Sequence, residues 1–368
     1  MNGGPILRVS ADLRRVSELD AGHRRLWAEL QTGSGLLKDA FFSYDFAAAV
    51  ANLKEDVRVA VLSKGTEVVG YLPFEQNGGV GTAVGSLVSE AHGAIVRPDA
   101  IWDAEHVIRQ AGLSEWNFVC APADQTPLRK WRFCEDDFPY VCLKDGIEGL
   151  RADMGQRGSR TLSQTYRKMR KLERERGSLR FEFQARDRDA VLECLMAWKS
   201  AHLLRIGVAD PFAFPWIRKL ARNLGAHASP SLTGVLSALY LGDELLAAHL
   251  GLKGFDTLNC WYPAYNPDPA FSGYSPGQIL LVKMLEAANG NGIVRYHFGR
   301  GPEPYKARLR NGGYAIMEGS VNTKPLPRLV RKTSFQVREF ADNSPILALP
   351  LRCIRRGKQI YALRQIET

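Results

Sequence analysis

The stretch from Tyr274 to Lys306 contains the residues of this sequence that are best suited to chemistry. Its first part, Tyr274-Ser-Pro-Gly277, is a turn whose proline presets the φ of an opening helical turn. A helix that begins there would point the free N–H groups of its first turn outward, towards an anionic group such as a phosphate. Spacing alone leaves an ordinary helix start as an equally good interpretation.

Helices and strands are predicted on both sides of this turn. Apolar residues recur at helical spacing from Gln278 to Ala288, and Gly290-Asn-Gly292 then ends the helix. Thr257–Tyr262 upstream and Ile293–Phe298 downstream both read as strands. The segment is therefore predicted to be strand, loop, helix, strand, followed by the turn Gly299-Arg-Gly301.

Three groups of residues carry a resemblance to a known family: Trp261-Tyr262 with Tyr265-Asn-Pro267; Tyr274-Ser-Pro-Gly277; and Phe298-Gly-Arg-Gly301 with Glu303, Tyr305 and Lys306. In order and spacing they resemble the CelD/BcsL-type acetyltransferases, bacterial proteins associated with cellulose or exopolysaccharide biosynthesis. The resemblance extends from about Asp45 to Val321. It implies a GNAT fold and a relation to the Fem-type aminoacyltransferases of peptidoglycan, which carry two GNAT-like halves. The chain has His297 and Pro302 where the family usually has acidic residues.

The resemblance implies roles for individual residues. The donor, acetyl-CoA or another acyl-CoA, would contact Tyr274, Ser275, Gly277, Gln278, Arg300 and Lys306. Glu303 and Tyr305 match the family and would be a proton acceptor and a proton donor. His297 is a second candidate acceptor for a different reason, since the ordinary pKa of histidine lies near neutrality, and His249 is a weaker candidate. Trp261, Tyr262, Tyr265 and Asn266 would line the acceptor cleft.

Each of these roles has a structural alternative. A single histidine in a strand is commonly a satisfied structural residue, and a base must first have the right geometry. Glu303 could pair with Arg300 or Arg308, and an aromatic cluster is as often part of a core as of a binding cleft.

A basic helix is predicted between Ser159 and Gly177. Leu162, Tyr166, Met169 and Leu172 form one apolar stripe, and seven basic side chains lie between Arg160 and Arg176. Such a helix is either a solvated charged face on a packed helix or an electrostatic surface for an anionic acceptor or the donor's phosphates.

The sequence also contains an internal repeat. Val59–Leu72 and Leu236–Leu250 each read as a strand, a glycine-containing turn and a second strand, about half a chain apart. We therefore predict an α/β (α+β) protein with tandem GNAT-like halves, in which helices flank mixed central sheets. The predicted parts are an N-terminal half at 1–155, a basic connecting helix at 156–178, a donor-binding C-terminal half at 179–324 and a basic tail at 325–368.

Composition narrows the class of protein. The 368 residues contain 49 Lys plus Arg and 39 Asp plus Glu, so the formal net charge is +10, which favours anionic partners. No Cys-x-x-Cys, Walker-type, Gly-x-Ser-x-Gly or His-Glu-x-x-His motif is present, and no metal is expected. The sequence shows no secretory signal and no apolar run of eighteen residues, so we expect a cytoplasmic protein, with contact to the inner membrane left open.

These observations together predict an N- or O-acyltransferase that moves an acyl group from acyl-CoA to a glycan precursor or a related metabolite. Its partners would be this acceptor and the polysaccharide-synthesis machinery. One alternative is a Fem-like transferase that uses aminoacyl-tRNA, in which the basic helix would contact the tRNA. Another is a non-catalytic accessory protein of a polysaccharide synthase.

Overall fold

The structure is a computed structural model, and it describes residues 9–33, 35–301 and 303–324 together with Thr333. The predicted basic tail at 325–368 therefore lies outside the described residues, except for Thr333. Within the described ranges, no helix is long and apolar enough to cross a membrane.

The N-terminal half is built mainly from strands. Its strands are β1 (Ser10–Arg14), β2 (Val57–Lys64), β3 (Glu67–Asn77), β4 (Val80–Thr82), β5 (Ile95–Val96), β6 (Glu115–Pro122) and β7 (Arg132–Cys142). Its helices are α1 (Ala21–Thr32), α2 (Tyr44–Ala51) and α3 (Ala104–Gln110). Two further helices, α4 (Gly146–Gln156) and α5 (Thr161–Arg176), lead into the second half.

The C-terminal half alternates strands and helices. Its strands are β8 (Leu179–Glu182), β9 (Thr233–Leu241), β10 (Glu244–Lys253), β11 (Thr257–Tyr265), β12 (Arg295–His297) and β13 (Gly312–Asn322). Its helices are α6 (Arg188–Arg205), α7 (Pro215–Ala226), α8 (Pro269–Ser272), α9 (Pro276–Ala287) and α10 (Pro304–Leu309). The predicted strand–loop–helix–strand segment is present as β11, α8, α9 and β12.

All of these strands join into one mixed sheet. Its order is β1-β2-β3-β4-β6-β13-β7-β12-β11-β10-β9-β8, with β5 paired to β3 outside this path. The halves meet where β7 pairs antiparallel with β12, through Cys142 with Arg295 and Tyr140 with His297. The last described strand, β13, returns to the N-terminal half and lies between β6 and β7. The mixed α/β architecture predicted from the sequence is confirmed.

Helices cover both faces of the C-terminal part of the sheet, which explains why β9, β10 and β11 are almost completely buried. On one face, α6 and α7 pack in a core that includes Leu236 and Trp261 and continues into the N-terminal half around Trp27. On the other face, α9 packs over Leu239 and Cys260. The apolar stripe of α5 packs against α9, with Leu162 and Leu172 buried, as the sequence predicts.

Candidate active site

A cavity of about 710 Å³ lies in the C-terminal half where β11 and β12 separate. These strands pair in parallel from Thr257 with Arg295 to Asn259 with His297. Beyond this point β12 ends, whereas β11 continues to Tyr265. The opening between them connects the α9 side of the sheet with the α6 side. The residues that line the cavity come from α6, β10, β11, β12, the α8–α9 segment and the start of α10.

The first turn of α9 forms one edge of the cavity. Its N-cap residue, Ser275, has a left-handed backbone with φ of 57°, and Pro276 occupies the first helical position. The N–H of Gly277 has no hydrogen-bond partner among the described residues. A side chain at this position would crowd Tyr265, whose Cδ1 would lie 3.3 Å from an added Cβ. The turn therefore offers a free donor and space at a positive helix end, which suits an anionic group.

The basic helix α5 lies beside this turn. The Nζ of Lys168 donates a 2.8 Å hydrogen bond to the Ser275 Oγ. The Tyr274 hydroxyl donates a 2.7 Å hydrogen bond to Glu175, and Lys171 lies over the Tyr274 ring. Tyr274 therefore anchors the turn to α5 and does not line the cavity, whereas Lys168 brings a positive charge to the start of α9.

Three buried polar side chains form the inner wall of the cavity. The Tyr296 hydroxyl lies 3.3 Å from the His249 Nε2, and the Cys260 thiol interacts with the same tyrosine. Burial lowers the pKa of His249 to about 3 and raises that of Cys260 to about 11. At neutral pH this wall is therefore uncharged, and neither side chain is ready to act as a base or a thiolate nucleophile.

The opposite wall is cationic. Helix α6 contributes Trp198, Lys199, His202 and Arg205. Burial lowers the pKa of Lys199, whose Nζ is 3.5 Å from the carbonyl oxygen of Pro263. Arg205 contacts the His202 ring at 3.1 Å. Sequence reasoning did not single out these α6 residues, because they lie on an amphipathic helix far along the chain from the motifs.

The start of α10 brings Glu303 and Tyr305 to the cavity. Burial acts to raise the pKa of Glu303, but the hydrogen bond and charge of Lys306, a backbone hydrogen bond and the charge of Lys199 together outweigh it, and the pKa is lowered. The Lys306 Nζ lies 2.8 Å from Glu303 and also donates to the carbonyl oxygen of Arg300 at 2.9 Å. Lys306 is buried and holds the turn that follows β12, so this geometry does not support its predicted contact with the donor. Burial raises the pKa of Tyr305.

His297 lies at the seam between the halves and does not line the cavity. Its ring is fully buried, and its Nδ1 is 2.6 Å from the Asp39 Oδ2. The rings of Phe138, Tyr140 and Tyr314 surround it. These contacts fit a structural role for His297 better than a role as the general base, because an acceptor has no path to the imidazole through this packing.

Three more predicted site residues lie away from the cavity. Arg300 is bound by Asp136 at 2.8 Å and by Glu318 at 2.9 Å, on the N-terminal side of the seam. Trp261 and Tyr262 are buried in the core, where the Trp261 Nε1 donates to the carbonyl oxygen of Val88. Their predicted roles in binding remain predictions that the geometry does not support.

Besides the weaker candidate His249, seven of the predicted residues line one cavity: Tyr265, Asn266, Ser275, Gly277, Gln278, Glu303 and Tyr305. They come from β11, the loop after it, the start of α9 and the start of α10. Asn266 also shapes the loop, because its Oδ1 accepts the Asp268 N–H at 3.0 Å. The sequence motifs therefore mark a common site, and the role of each residue in it remains a prediction.

One acidic residue beside this site had no sequence signal. Glu90 belongs to a loop of the N-terminal half, and it lies against Gly299, where an added Cβ would approach the carboxylate to 2.2 Å. Its Oε2 is buried without a hydrogen-bond partner. Burial raises the pKa of Glu90 to about 8, although Lys306 and Lys199 act in the opposite direction. No local pattern in Val-Ser-Glu-Ala-His distinguishes this residue from an ordinary loop glutamate.

Comparison with known proteins agrees with this geometry. Residues 159–307 match a family model described as an acetyltransferase (GNAT) domain. The chain contains a GNAT acetyltransferase domain. This domain spans α5 to the first residues of α10 and includes the cavity, the first turn of α9 and the separated strands, so the expectation of an acyltransferase is confirmed. A search of curated proteins found no match.

Solved structures show the same fold at low sequence identity. FemX has a TM-score of 0.56 and 10% identity over 87% of this chain and 99% of its own. The C-terminal domain of a putative lysylphosphatidylglycerol synthetase from Agrobacterium fabrum has a TM-score of 0.51 and 12% identity over 85% of this chain and 97% of its own. L-PGS from Bacillus licheniformis has a TM-score of 0.50 and 13% identity over 86% of this chain and 96% of its own. These likenesses cover both halves, and the predicted fold class is confirmed.

Proposed function

We propose that this GNAT domain transfers an acyl group from acyl-CoA to an amine or hydroxyl of a small acceptor. The observation that carries the proposal is the combination, in one cavity, of a helix start with a free N–H and a gap between two parallel strands. The first feature suits the pyrophosphate of CoA, and the second suits its extended pantetheine arm.

The first turn of α9, Ser275–Gln278, is here called the donor turn, and it would bind the pyrophosphate. Gly277 leaves the backbone accessible, the α9 dipole favours negative charge, and Lys168 adds a cation at the same place. Among the described residues, no group of three or more His, Cys, Asp or Glu side chains could hold a metal ion. The residues present therefore fit a phosphate-containing donor.

The strand gap would position the thioester. The arm would enter between β11 and β12, where it can form hydrogen bonds with strand backbone that no longer has a partner strand. The acyl group would then lie near Cys260, Tyr296 and Tyr305, on the uncharged inner wall. Holding the thioester next to the acceptor supplies much of the rate enhancement in such a reaction, because it removes the entropic cost of the encounter.

The acceptor would approach from the α6 side. Lys199 and Arg205 make this wall cationic, so an acceptor that carries a carboxylate or a phosphate would be favoured. The resemblance of the site motifs to the CelD/BcsL-type acetyltransferases supports a glycan precursor of exopolysaccharide biosynthesis as the acceptor.

The test is calorimetric titration of the protein with acetyl-CoA. Gly277→Asp places a carboxylate where the pyrophosphate would bind. The helix should tolerate it, because the crowded Tyr265 side chain is exposed and can shift, and an acidic residue near a helix N-terminus is stabilising. We expect the affinity to fall by roughly tenfold or more, which corresponds to about 1.4 kcal/mol or more. Gly290→Asp, beyond the other end of α9 and in open space, is the matched control and should bind as the wild type does.

Unchanged binding in Gly277→Asp would remove the donor turn from the proposal. No binding of acetyl-CoA to the wild type would remove acetyl-CoA as the donor, and longer acyl-CoAs and aminoacyl-tRNA would then be titrated.

An aminoacyl-tRNA donor is the second candidate. The observation that favours it is the exposed basic face of α5 next to the donor turn, with Arg167 and Arg170 both solvent-exposed. Binding of tRNA through such a face should weaken steeply as salt increases, because counterions are released from the phosphates. Salt-sensitive tRNA binding without acetyl-CoA binding would favour this candidate. Acetyl-CoA binding without turnover of any acceptor would favour a non-catalytic accessory protein.

A further inference from the structure

The N-terminal half sends one loop to the turn that follows β12, beyond the point where β12 separates from β11. This loop follows a short 3-10 helix, Ser86–Val88, and leads to β5. It is fixed from both sides, because the carbonyl oxygen of Val88 accepts a hydrogen bond from Trp261 and the side chain of His92 accepts one from the Val119 N–H. Glu90 lies between these two anchors, so its carboxylate is held in place by the fold.

The carboxylate of Glu90 is placed against the turn that follows β12. It is so close to Gly299 that any side chain there would collide with it. One oxygen, Oε2, is buried and lacks a hydrogen-bond partner among the described residues, while the residue as a whole is partly exposed. An unpaired buried oxygen costs free energy, and Glu90 Oε2 does not gain this back through a contact with another described side chain.

The charges around Glu90 come from several elements. Lys306 on α10 and Lys199 on α6 favour its ionised form, whereas Asp39 disfavours it. Asn259 on β11 adds a hydrogen bond that also favours the ionised form. Glu90 also interacts with five groups whose pKa values are raised by burial, so that they are neutral at pH 7: Cys120, Cys260, Tyr262, Tyr296 and Tyr305.

The two proton acceptors predicted from the sequence, Glu303 and His297, lie in different environments from that of Glu90. Glu303 pairs with Lys306 and its pKa is lowered, which makes it a weaker proton acceptor. His297 is enclosed by aromatic rings and hydrogen-bonded to Asp39. Glu90 is partly exposed to solvent, and its charge acts on Lys199 and Tyr305, which line the cavity.

We propose that Glu90 is the general base of the acyl transfer, supplied by the N-terminal half to the GNAT domain of the C-terminal half. The inference rests on the proposed function. A proton of the acceptor N–H or O–H passes to the Glu90 carboxylate while the acceptor atom forms a bond to the acyl carbon. The carbon–sulfur bond breaks, its electron pair stays on sulfur, and the CoA thiolate takes a proton from solvent. Glu90 then returns its proton to solvent.

A base with a pKa near 8 suits this step. General bases work best when their pKa lies close to the working pH, and burial brings the pKa of Glu90 to about 8. At lower pH the side chain is protonated and cannot accept the proton, so the contribution of Glu90 to the rate should grow as the pH rises to about 8.

Glu90→Gln is the variant that tests the proposal, since it keeps the size of the side chain and removes the titrating oxygen. Acetyl-CoA affinity is measured by calorimetry, and release of the CoA thiol is followed with enzyme-bound acetyl-CoA, with water or ethanolamine as the acceptor. We expect binding within about twofold of the wild type and a rate lower by roughly 100-fold, as is typical when a general base is lost. The rate of Glu303→Gln should fall much less. The rate of Glu193→Gln should equal that of the wild type, because Glu193 lies on the surface of α6 and pairs with Arg218 and Arg222.

The ratio of the wild-type rate to the Glu90→Gln rate should rise with pH and level off above about 8, because the ionisation of the acceptor cancels in the ratio. A purely structural role for Glu90 would instead give a ratio that is constant with pH. The proposal is overturned if the wild type and Glu90→Gln react at equal rates, or if the ratio of their rates does not change with pH. It is also overturned if acetyl-CoA bound to the wild type reacts no faster than free acetyl-CoA. Failure of the wild type to bind acetyl-CoA would overturn the donor assignment itself, and that result is distinct because it does not depend on Glu90.

Discussion

Burial shifts the pKa values of two residues of the same loop in opposite directions. It raises the pKa of Glu90 to about 8 and lowers that of His92 to about 4, because in each case the charged form loses its hydration. His92 accepts a 2.8 Å hydrogen bond from the Val119 N–H through Nε2, and its ring packs edge-on against Trp116. Protonation of Nε2 would end this hydrogen bond.

The His92 pKa predicts a loss of stability in acid. The unfolded chain binds the proton near pH 6.5 and the folded chain only near pH 4, so the free energy of unfolding falls as the pH drops from about 6.5 to 4. In His92→Gln, an amide oxygen can accept the Val119 N–H and no proton binds. We expect its Tm to fall less than that of the wild type between pH 7 and pH 4, as measured by thermal unfolding followed by circular dichroism. His106→Gln on α3 is the control, and an identical pH dependence in His92→Gln and wild type would contradict the prediction.

The cavity residues that lie close together in the chain could be predicted from the sequence. The residues that tertiary packing brings to them from distant parts of the chain could not. Gly277, Gln278, Glu303 and Tyr305 share one segment whose turn and strand signals are local. The residues that act on this segment from outside, Asp39 on His297 and Glu90 on Gly299, are more than 200 positions away in the chain. Such contacts depend on tertiary packing, which leaves no periodic signal in a single sequence.

At the scale of elements, the site depends on how α9 meets α5, β11 and β12. The helical spacing of apolar residues in α9 and the strand signal at Thr257–Tyr262 predicted α9 and β11 correctly, and the structure confirms both elements. Helix α10 and strand β13 were not predicted. Residues 304–309 make a short helix with only two buried positions, and β13 begins with two glycines, which weaken a strand pattern.

The position of α5 leads to a prediction for Lys168. Its Nζ lies 2.8 Å from Ser275 at the start of α9, where it would add to the attraction of the helix N-terminus for phosphate. Lys168→Met should weaken acetyl-CoA binding by roughly threefold to tenfold at low salt, and the difference should shrink at high salt because of screening. Arg170→Met is the matched control, since residues two apart on a helix do not share a face. Calorimetry at two salt concentrations measures both effects, and equal losses in the two variants would mean that only net charge matters.

At the scale of the whole molecule, the two halves share one sheet and one core. β7 of the first half pairs with β12 of the second, and β13 completes the first half by lying between β6 and β7. One hydrophobic cluster includes Trp27 and Phe42 from the first half and Leu220 and Tyr262 from the second. The sequence repeat indicated two similar halves, but it gave no sign of this exchange, because strand order in space is not encoded in the local pattern.

The exchange of β13 predicts how the halves behave when separated. A fragment of residues 1–155 lacks the strand between β6 and β7, so it should show no cooperative thermal unfolding, whereas co-expression with residues 156–368 should give a stable complex. The control is the full chain with a protease site inserted after Gly158, in an exposed turn, and cut after folding; it should remain one folded species. A cooperative transition for residues 1–155 alone would contradict the prediction.

The return of β13 also sets the order of events on the ribosome. Strand β7 ends at Cys142 and β13 begins at Gly312, so 312 − 142 = 170 residues of synthesis separate them. At about 5–20 residues per second, this takes roughly 10–35 seconds. During that interval β6 and β7 have no strand between them, and their unpaired edges are open to other nascent chains. We therefore expect the newly made N-terminal half to be protected by chaperones until β13 has been translated.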